Sequence, residues 1–277
     1  DVIINSETLN VNDVTSLKIS DTDDSVHLSR QEGSWVVSNR DNYKADFSKI
    51  SRVLKKLIEI RVAEQLKAGA STYSRFDLSD PKEGSDGEGA GTRVQLFKSN
   101  NDSASVELIV GKRFGGATVD SGQQGGGNGK YIRLGGNESQ VFIVADSLYD
   151  IESSTSSWLE KNPFSIDKPK DILVVHSDEE KFNFTRTEEG GDAVLEGLSE
   201  EEELNTSNTS SIVSPFASFS FKDVVVGDKA KPENTGLANP VNVEVSTFEG
   251  FNYKIAIGKG EGANVDSDDQ AVSYTHL

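Results

Sequence analysis

Val26-His-Leu-Ser-Arg30-Gln-Glu32 and Phe182-Asn-Phe-Thr-Arg186-Thr-Glu188 follow one pattern, written twice in the same chain. Both open on apolar residues that alternate with polar ones, and both close on arginine, one spacer and glutamate. At the same spacing Leu17-Lys-Ile19 meets Leu173-Val-Val175, and Asp23-Asp24 meets Glu179-Glu180. Further on, and at shorter spacings, Val106-Glu-Leu-Ile-Val-Gly-Lys112 meets Tyr253-Lys-Ile-Ala-Ile-Gly-Lys259. Lys130-Tyr-Ile-Arg-Leu134 then meets Ser273-Tyr-Thr-His-Leu277. Matches in a constant order, with the period of two kept, predict a tandem duplication of one β-rich module.

Around these matches the first copy reads clearly. Short β-type runs at Ser16–Ser20, Ser25–Arg30 and Ser34–Ser38 are separated by Asp23-Asp24 and Glu32-Gly33, residues suited to hairpin turns. From Asp46 to Ile60 the period changes: Phe47, Ile50, Val53, Leu54, Leu57 and Ile58 recur at helical spacing, with Lys55, Lys56 and Glu59 on the opposite side. Asp46 is placed to cap the first turn. After Pro81 and a polar loop from Glu83 to Gly91, strand patterns return at Thr92–Phe97, Ala104–Val110, Lys130–Leu134 and Gln140–Val144. Asp146 to Leu159 reads as a short helical stretch, and Asn162-Pro163 with Asp167-Lys-Pro169 as a junction. The chain is expected to divide into residues 1–165 and a second, related module at 166–277. In the second module the helix counterpart, Leu204 to Ser218, is rich in serine and threonine and broken by Pro215. The second copy stops where the first still has a strand and a helix to come.

Composition narrows the function classes. The 277 residues carry 46 acidic and 28 basic side chains, a formal charge of −18. Such a surface repels nucleic acid and anionic headgroups, because phosphate contacts need cations. Without cysteine there are no disulfides, thiolate metal sites or cysteine nucleophiles. The chain also has no methionine, not even at its first residue, which predicts a processed or trimmed product with any signal or anchor removed. Apolar runs such as Ile172-Leu-Val-Val175 are too short to span a bilayer.

The motifs that would carry chemistry fail on spacing. Ser121-Gly-Gln-Gln-Gly-Gly-Gly-Asn-Gly-Lys130-Tyr131 has a glycine-lysine pair, but a phosphate loop needs glycine where Gln124 stands and a hydroxyl where Tyr131 stands. It must also lead into a helix, and Tyr131–Leu134 alternates as a strand does. The equivalent loop, Gly260 to Asp269, is acidic. The histidines, His27, His176 and His276, are far apart and unpaired. Asp21-Thr-Asp-Asp24 and Asp266-Ser-Asp-Asp269 resemble the start of a calcium loop but lack glycine at the sixth position. They read more simply as turns. No nucleophile elbow is present. Trp35 and Trp158 suit core anchors better than a sugar platform. Sequons begin at Asn101, Asn137, Asn183, Asn205 and Asn208, and matter only in a eukaryotic secretory setting. No catalytic, cofactor-binding or metal-binding residue is assigned.

Trp35-Val-Val, then Ala45-Asp46 opening the helix, Phe76-Asp-Leu-Ser-Asp-Pro81, Leu108-Ile-Val-Gly-Lys112, Tyr131-Ile-Arg-Leu and Val141-Phe-Ile-Val occur in an ordered series. That series resembles the bacterial family described as domain of unknown function 4340. There a W-x-[LV] strand precedes an A-D helix start, followed by Y-G-L-x-x-P, a glycine after an apolar strand, Y-x-R and V-x-x-V. Here Phe76-Asp77 replaces the aromatic-glycine pair. The resemblance covers about residues 15–190 well and implies an envelope protein with one N-terminal membrane anchor, often encoded near ABC-type export systems of the gliding-motility kind. The expected fold class is α+β: two tandem related modules, each a mainly antiparallel β-meander with a helix on one face. The expected role is that of a non-enzymatic, extracytoplasmic accessory protein, periplasmic or on the cell envelope, tethered to the membrane and partnered by transporter components. It needs no cofactor. A carbohydrate- or calcium-binding envelope module is the alternative.

Overall fold

The computed structural model describes residues 4, 9–82, 86–99, 103–114, 129–135, 140–162, 165–199, 202 and 216–260, and the backbone of 272–276. The chain divides into two compact units, Asp1–Glu160 and Lys161–Leu277. Both are built mainly from antiparallel sheet, with few helices, an α+β arrangement in the broad sense. Among the described residues no helix is long and apolar enough to cross a membrane.

In the first unit the strands are β1 (Val14–Ser20), β2 (Ser25–Gln31), β3 (Ser34–Val37), β4 (Tyr43–Lys44), β5 (Val62–Leu66), β6 (Thr92–Lys98), β7 (Val106–Arg113), β8 (Lys130–Leu134) and β9 (Val141–Val144). They form one sheet in the order β4-β3-β2-β1-β6-β7-β8-β9-β5. Alternation drives it: Leu17, Ile19, Val26, Leu28, Val94, Leu96 and Leu108 are all fully buried, and on β7 the opposite face is covered too, where Ile109 is buried with Leu78 and Val141. Glu32 and Gly33 both take positive φ at the β2–β3 turn. That is the backbone a tight two-residue hairpin requires.

The helix α1 spans Phe47–Glu59. The Asp46 carboxylate caps it by accepting the Lys49 amide at 3.0 Å. Ile50, Val53, Leu54 and Leu57 are buried along one stripe, as the spacing predicts. Lys49 is buried as well, for a reason given below.

The helix expected over Asp146–Leu159 is a correction. Only Thr155–Trp158 is helical, as one 3-10 turn. The Asp146 side chain accepts the Leu148 amide at 2.8 Å, and Leu148 sits at a φ of 49°, which a right-handed helix excludes. The segment instead lies as a strap on the polar side of α1. Lys49 pairs with Glu152, Arg52 and Lys56 with Asp150 at 3.6 and 3.2 Å, and Lys56 with Asp146 at 3.6 Å. Ala45 bridges Leu159, and the Asp46 amide donates to the Trp158 carbonyl at 2.8 Å.

The second unit contains β10 (Pro169–Val175), β11 (Lys181–Thr185), β12 (Val194–Leu195), β13 (Val241–Thr247), β14 (Asn252–Gly260) and β15 (Val272–His276), in the order β12-β11-β10-β13-β14-β15. Its core is Ile166, Ile172, Val243, Val245 and Ile255. A single-turn helix, Pro232–Thr235, precedes β13. Most of Leu204–Ser218 lies outside the described residues.

The order of the second sheet has the connectivity of β3-β2-β1-β6-β7-β8 in the first. Register slips fall at matching places, between Val14 and Ser16 on β1 and between Pro169 and Asp171 on β10. One detail of the sequence match needs shifting. Leu17 faces Leu28, whereas Phe184 is faced by Ile172 and not by Leu173. The hairpin from Val175 to Lys181 holds one more residue than that from Ser20 to Ser25, which moves β10 by one position. With a side-chain period of two, that shift decides which residue is buried, and Ile172 is.

Candidate functional site

Three of the recognisable motifs meet over β7 and β8 of the first sheet. Phe76 ends a 3-10 turn, Ala70–Phe76, and Asp77 follows it in the left-handed region (φ 54°, ψ 46°). The chain then passes directly over Gly111 of β7. A Cβ at Gly111 would stand 2.2 Å from the Phe76 carbonyl oxygen and 2.9 Å from Leu78 Cδ2. Only glycine permits this approach. Arg133 of β8 clamps the same turn: its Nε donates to the Leu78 carbonyl at 2.9 Å, its Nη2 lies 2.9 Å from Asp80 Oδ2, and its guanidinium stacks on Tyr73. Arg93 reaches the other oxygen of Asp80 at 2.8 Å. Tyr131 packs against Phe76 and Phe114 at ring separations of 4.7 and 5.7 Å. The Phe76–Pro81 turn, Gly111 and the Tyr131-x-Arg133 pair are thus one mechanical assembly.

Partial burial alone would raise the pKa of Asp80, but the Arg93 hydrogen bond and the charge and hydrogen bond of Arg133 hold it below its ordinary value of 3.8. A carboxylate depressed in this way contributes stability at neutral pH that is lost as pH falls through its folded value. Asp80→Asn is expected to leave a flatter stability profile on acidification below about pH 4. Urea midpoints measured between neutral and acidic pH check this; parallel profiles for the two proteins would contradict it.

Beside this assembly lies a cleft of about 310 Å³. It is bordered by the β1–β2 turn (Asp21, Thr22, Asp23), by Asp77, by Gly91 and Thr92 at the start of β6, by Gly111 and Lys112, by Lys130 and by Leu148 and Ile151. Lys130 is half-buried, and its ammonium donates to the Gly111 carbonyl at 3.2 Å. Among the described residues it forms no ion pair. Burial first, then Arg113, lowers its pKa, with Asp77 opposing. The charges on the Asp21 carboxylate are already engaged: Oδ1 accepts the amides of Asp23 and Asp24 at 2.9 and 2.8 Å, and Oδ2 accepts the Ser153 hydroxyl.

The other sequence candidates fall elsewhere. Asp21-Thr-Asp-Asp24 is a turn held by its own amides, and no cluster of metal-ligating side chains occurs among the described residues. Asp266–Asp269 and most of the glycine-rich stretch, 121–128, lie outside those residues, as do Asn101, Asn137, Asn205 and Asn208. Asn183 binds Glu196. His27 hydrogen-bonds Ser16 on the neighbouring strand, and burial followed by Lys18 lowers its pKa. His176 stacks edge-on against Phe182 in the other unit. Trp35 and Trp158 are buried, so neither presents a sugar-stacking face.

The sequence carries one further match between the two units, in a turn and not in a strand. Thr235-Gly-Leu-Ala-Asn-Pro240 carries the G-L-x-x-P turn, with the glycine that Asp77 displaces in the first unit. Gly236 is left-handed (φ 72°), and a Cβ at Gly258 would stand 2.2 Å from the Thr235 carbonyl oxygen.

The family model described as "Domain of unknown function (DUF4340)" matches residues 35–240. No curated protein matches, and no solved structure matches.

Proposed function

The chain belongs to this family, domain of unknown function 4340, and on that premise we propose that it is a non-enzymatic accessory protein of the cell envelope. In this reading it is held outside the cytoplasm by a membrane tether and works with the components of an ABC-type transport system. The observation that carries the reading is the role of the motif residues. Gly111, Arg133, Asp80, Asp46 and Trp35 are engaged in close packing, clamping, capping and core formation. Residues used in this way preserve a shape, and a preserved shape without a reacting group is what an interaction module requires.

The same reading treats the two units as copies of one sheet module. Equal connectivity, matching register slips and the paired contacts of Gly111 and Gly258 support it.

The test is affinity capture of the full-length protein from detergent-solubilised membranes, after cross-linking in intact cells. Recovery of transporter subunits above a tag-only control is the expected result. Capture without any transporter component, or recovery of the protein from the cytoplasmic fraction, overturns the proposal.

A further inference from the structure

The two units differ at the cleft in a way the fold does not require. In the second unit the left-handed position of the turn is Gly236, the residue suited to it. In the first it is Asp77, one of the few side chains that tolerate this backbone region, though at more cost than glycine. The residue before the tyrosine is Ser273 on β15 and Lys130 on β8. There the first unit half-buries an ammonium group, which burial also disfavours. Each of these choices costs stability at a position where the second unit carries glycine or serine, and both side chains border the same cleft. Strain and desolvated charge that coincide at one concavity mark a place where a ligand is received.

The charges indicate the ligand. Lys130 and Asp77 are close enough to influence each other, yet they form no ion pair within 4.0 Å among the described residues. Among the described residues the Lys130 ammonium holds only a backbone carbonyl, that of Gly111. Of the charged residues bordering this cleft of about 310 Å³, Asp23 and Lys112 are exposed and Asp21 is held by its own turn and Ser153, which leaves half-buried Lys130 and Asp77 to complement a small molecule with both charges of its own. We propose that this cleft binds a zwitterion of the amino-acid or short-peptide type, with its carboxylate on Lys130 and its ammonium on Asp77. The inference concerns the first unit alone and stands apart from the transporter reading.

The probe is glycylglycine, titrated calorimetrically into the 277-residue protein, with acetate and methylammonium as single-charge comparisons. Saturable binding of glycylglycine is expected, with each comparison about tenfold weaker or more. Lys130→Ser and Asp77→Gly install the residues of the second unit. Each is expected to weaken glycylglycine binding about tenfold while the melting temperature stays level or rises. A flat glycylglycine titration overturns the proposal, and so does acetate binding as tightly as glycylglycine. Variants that bind undiminished overturn it as well. A lower melting temperature in either variant means that the residue serves the fold, and that too sinks the inference.

Discussion

Gly111→Ala lowers the melting temperature of the protein by about 10 °C. The new methyl group would stand 2.2 Å from the Phe76 carbonyl oxygen and 3.0 Å from that of Asp77, both of them backbone atoms. No side-chain rotation relieves such a contact, so the turn must lift from β7. Lifting it separates Leu78 from Ile109 and Val141 in their buried cluster and draws the Leu78 carbonyl away from Arg133. Overpacking of this kind costs about 3 kcal/mol. Gly258→Ala repeats the collision with the Thr235 carbonyl at 2.2 Å and is expected to cost a similar amount. Hydrogen exchange locates each loss: β6 to β8 lose protection in the first variant, β13 and β14 in the second. An alanine at 111 that leaves the melting temperature unchanged contradicts the proposed packing.

The second large effect belongs to Trp158. Its side chain is fully buried, its indole N–H donates to the Glu152 carbonyl at 2.8 Å, and the Lys49 ammonium lies 4.7 Å from the ring centroid. The ring therefore fixes the strap to the first turn of α1. It also explains why Lys49 is buried: its charge is taken up by Glu152, by the Ser157 carbonyl and by the ring face. Trp158→Ala removes the ring and leaves a cavity, a loss of about 4 kcal/mol. Trp158→Phe keeps most of the apolar volume and drops one hydrogen bond, a loss of about 1 kcal/mol plus the mismatch in shape. Urea unfolding measures both. Equal midpoints for the two variants would mean that packing volume at this position contributes nothing.

The hairpins, α1 and its cap were readable because each depends on local periodicity and on side chains close in sequence. Asp46 and Lys49 are three residues apart; Glu32 and Gly33 are adjacent. The strap was misread because Asp146–Leu159 has helix-compatible spacing, while its acids bind Lys49, Arg52 and Lys56 about a hundred residues earlier in the chain. The strand β5 passed unread since its middle residues, Ala63, Glu64 and Gln65, are exposed at a sheet edge and carry no apolar signal. The cleft could not be read at all. Asp77 and Lys130 are far apart in sequence, and neither is unusual until the backbone angle of one and the burial of the other are known.

Alternating strands, one capped amphipathic helix, a strongly acidic surface and two parallel runs of matching text follow from the residues alone, because they arise from neighbours along the chain. The slip of β10, the strap over α1, the pressure of two turns on Gly111 and Gly258, and the placing of Asp77 and Lys130 on one cleft were decided by tertiary structure. These depend on which distant segments share space, and close packing admits one arrangement where the sequence pattern permits several.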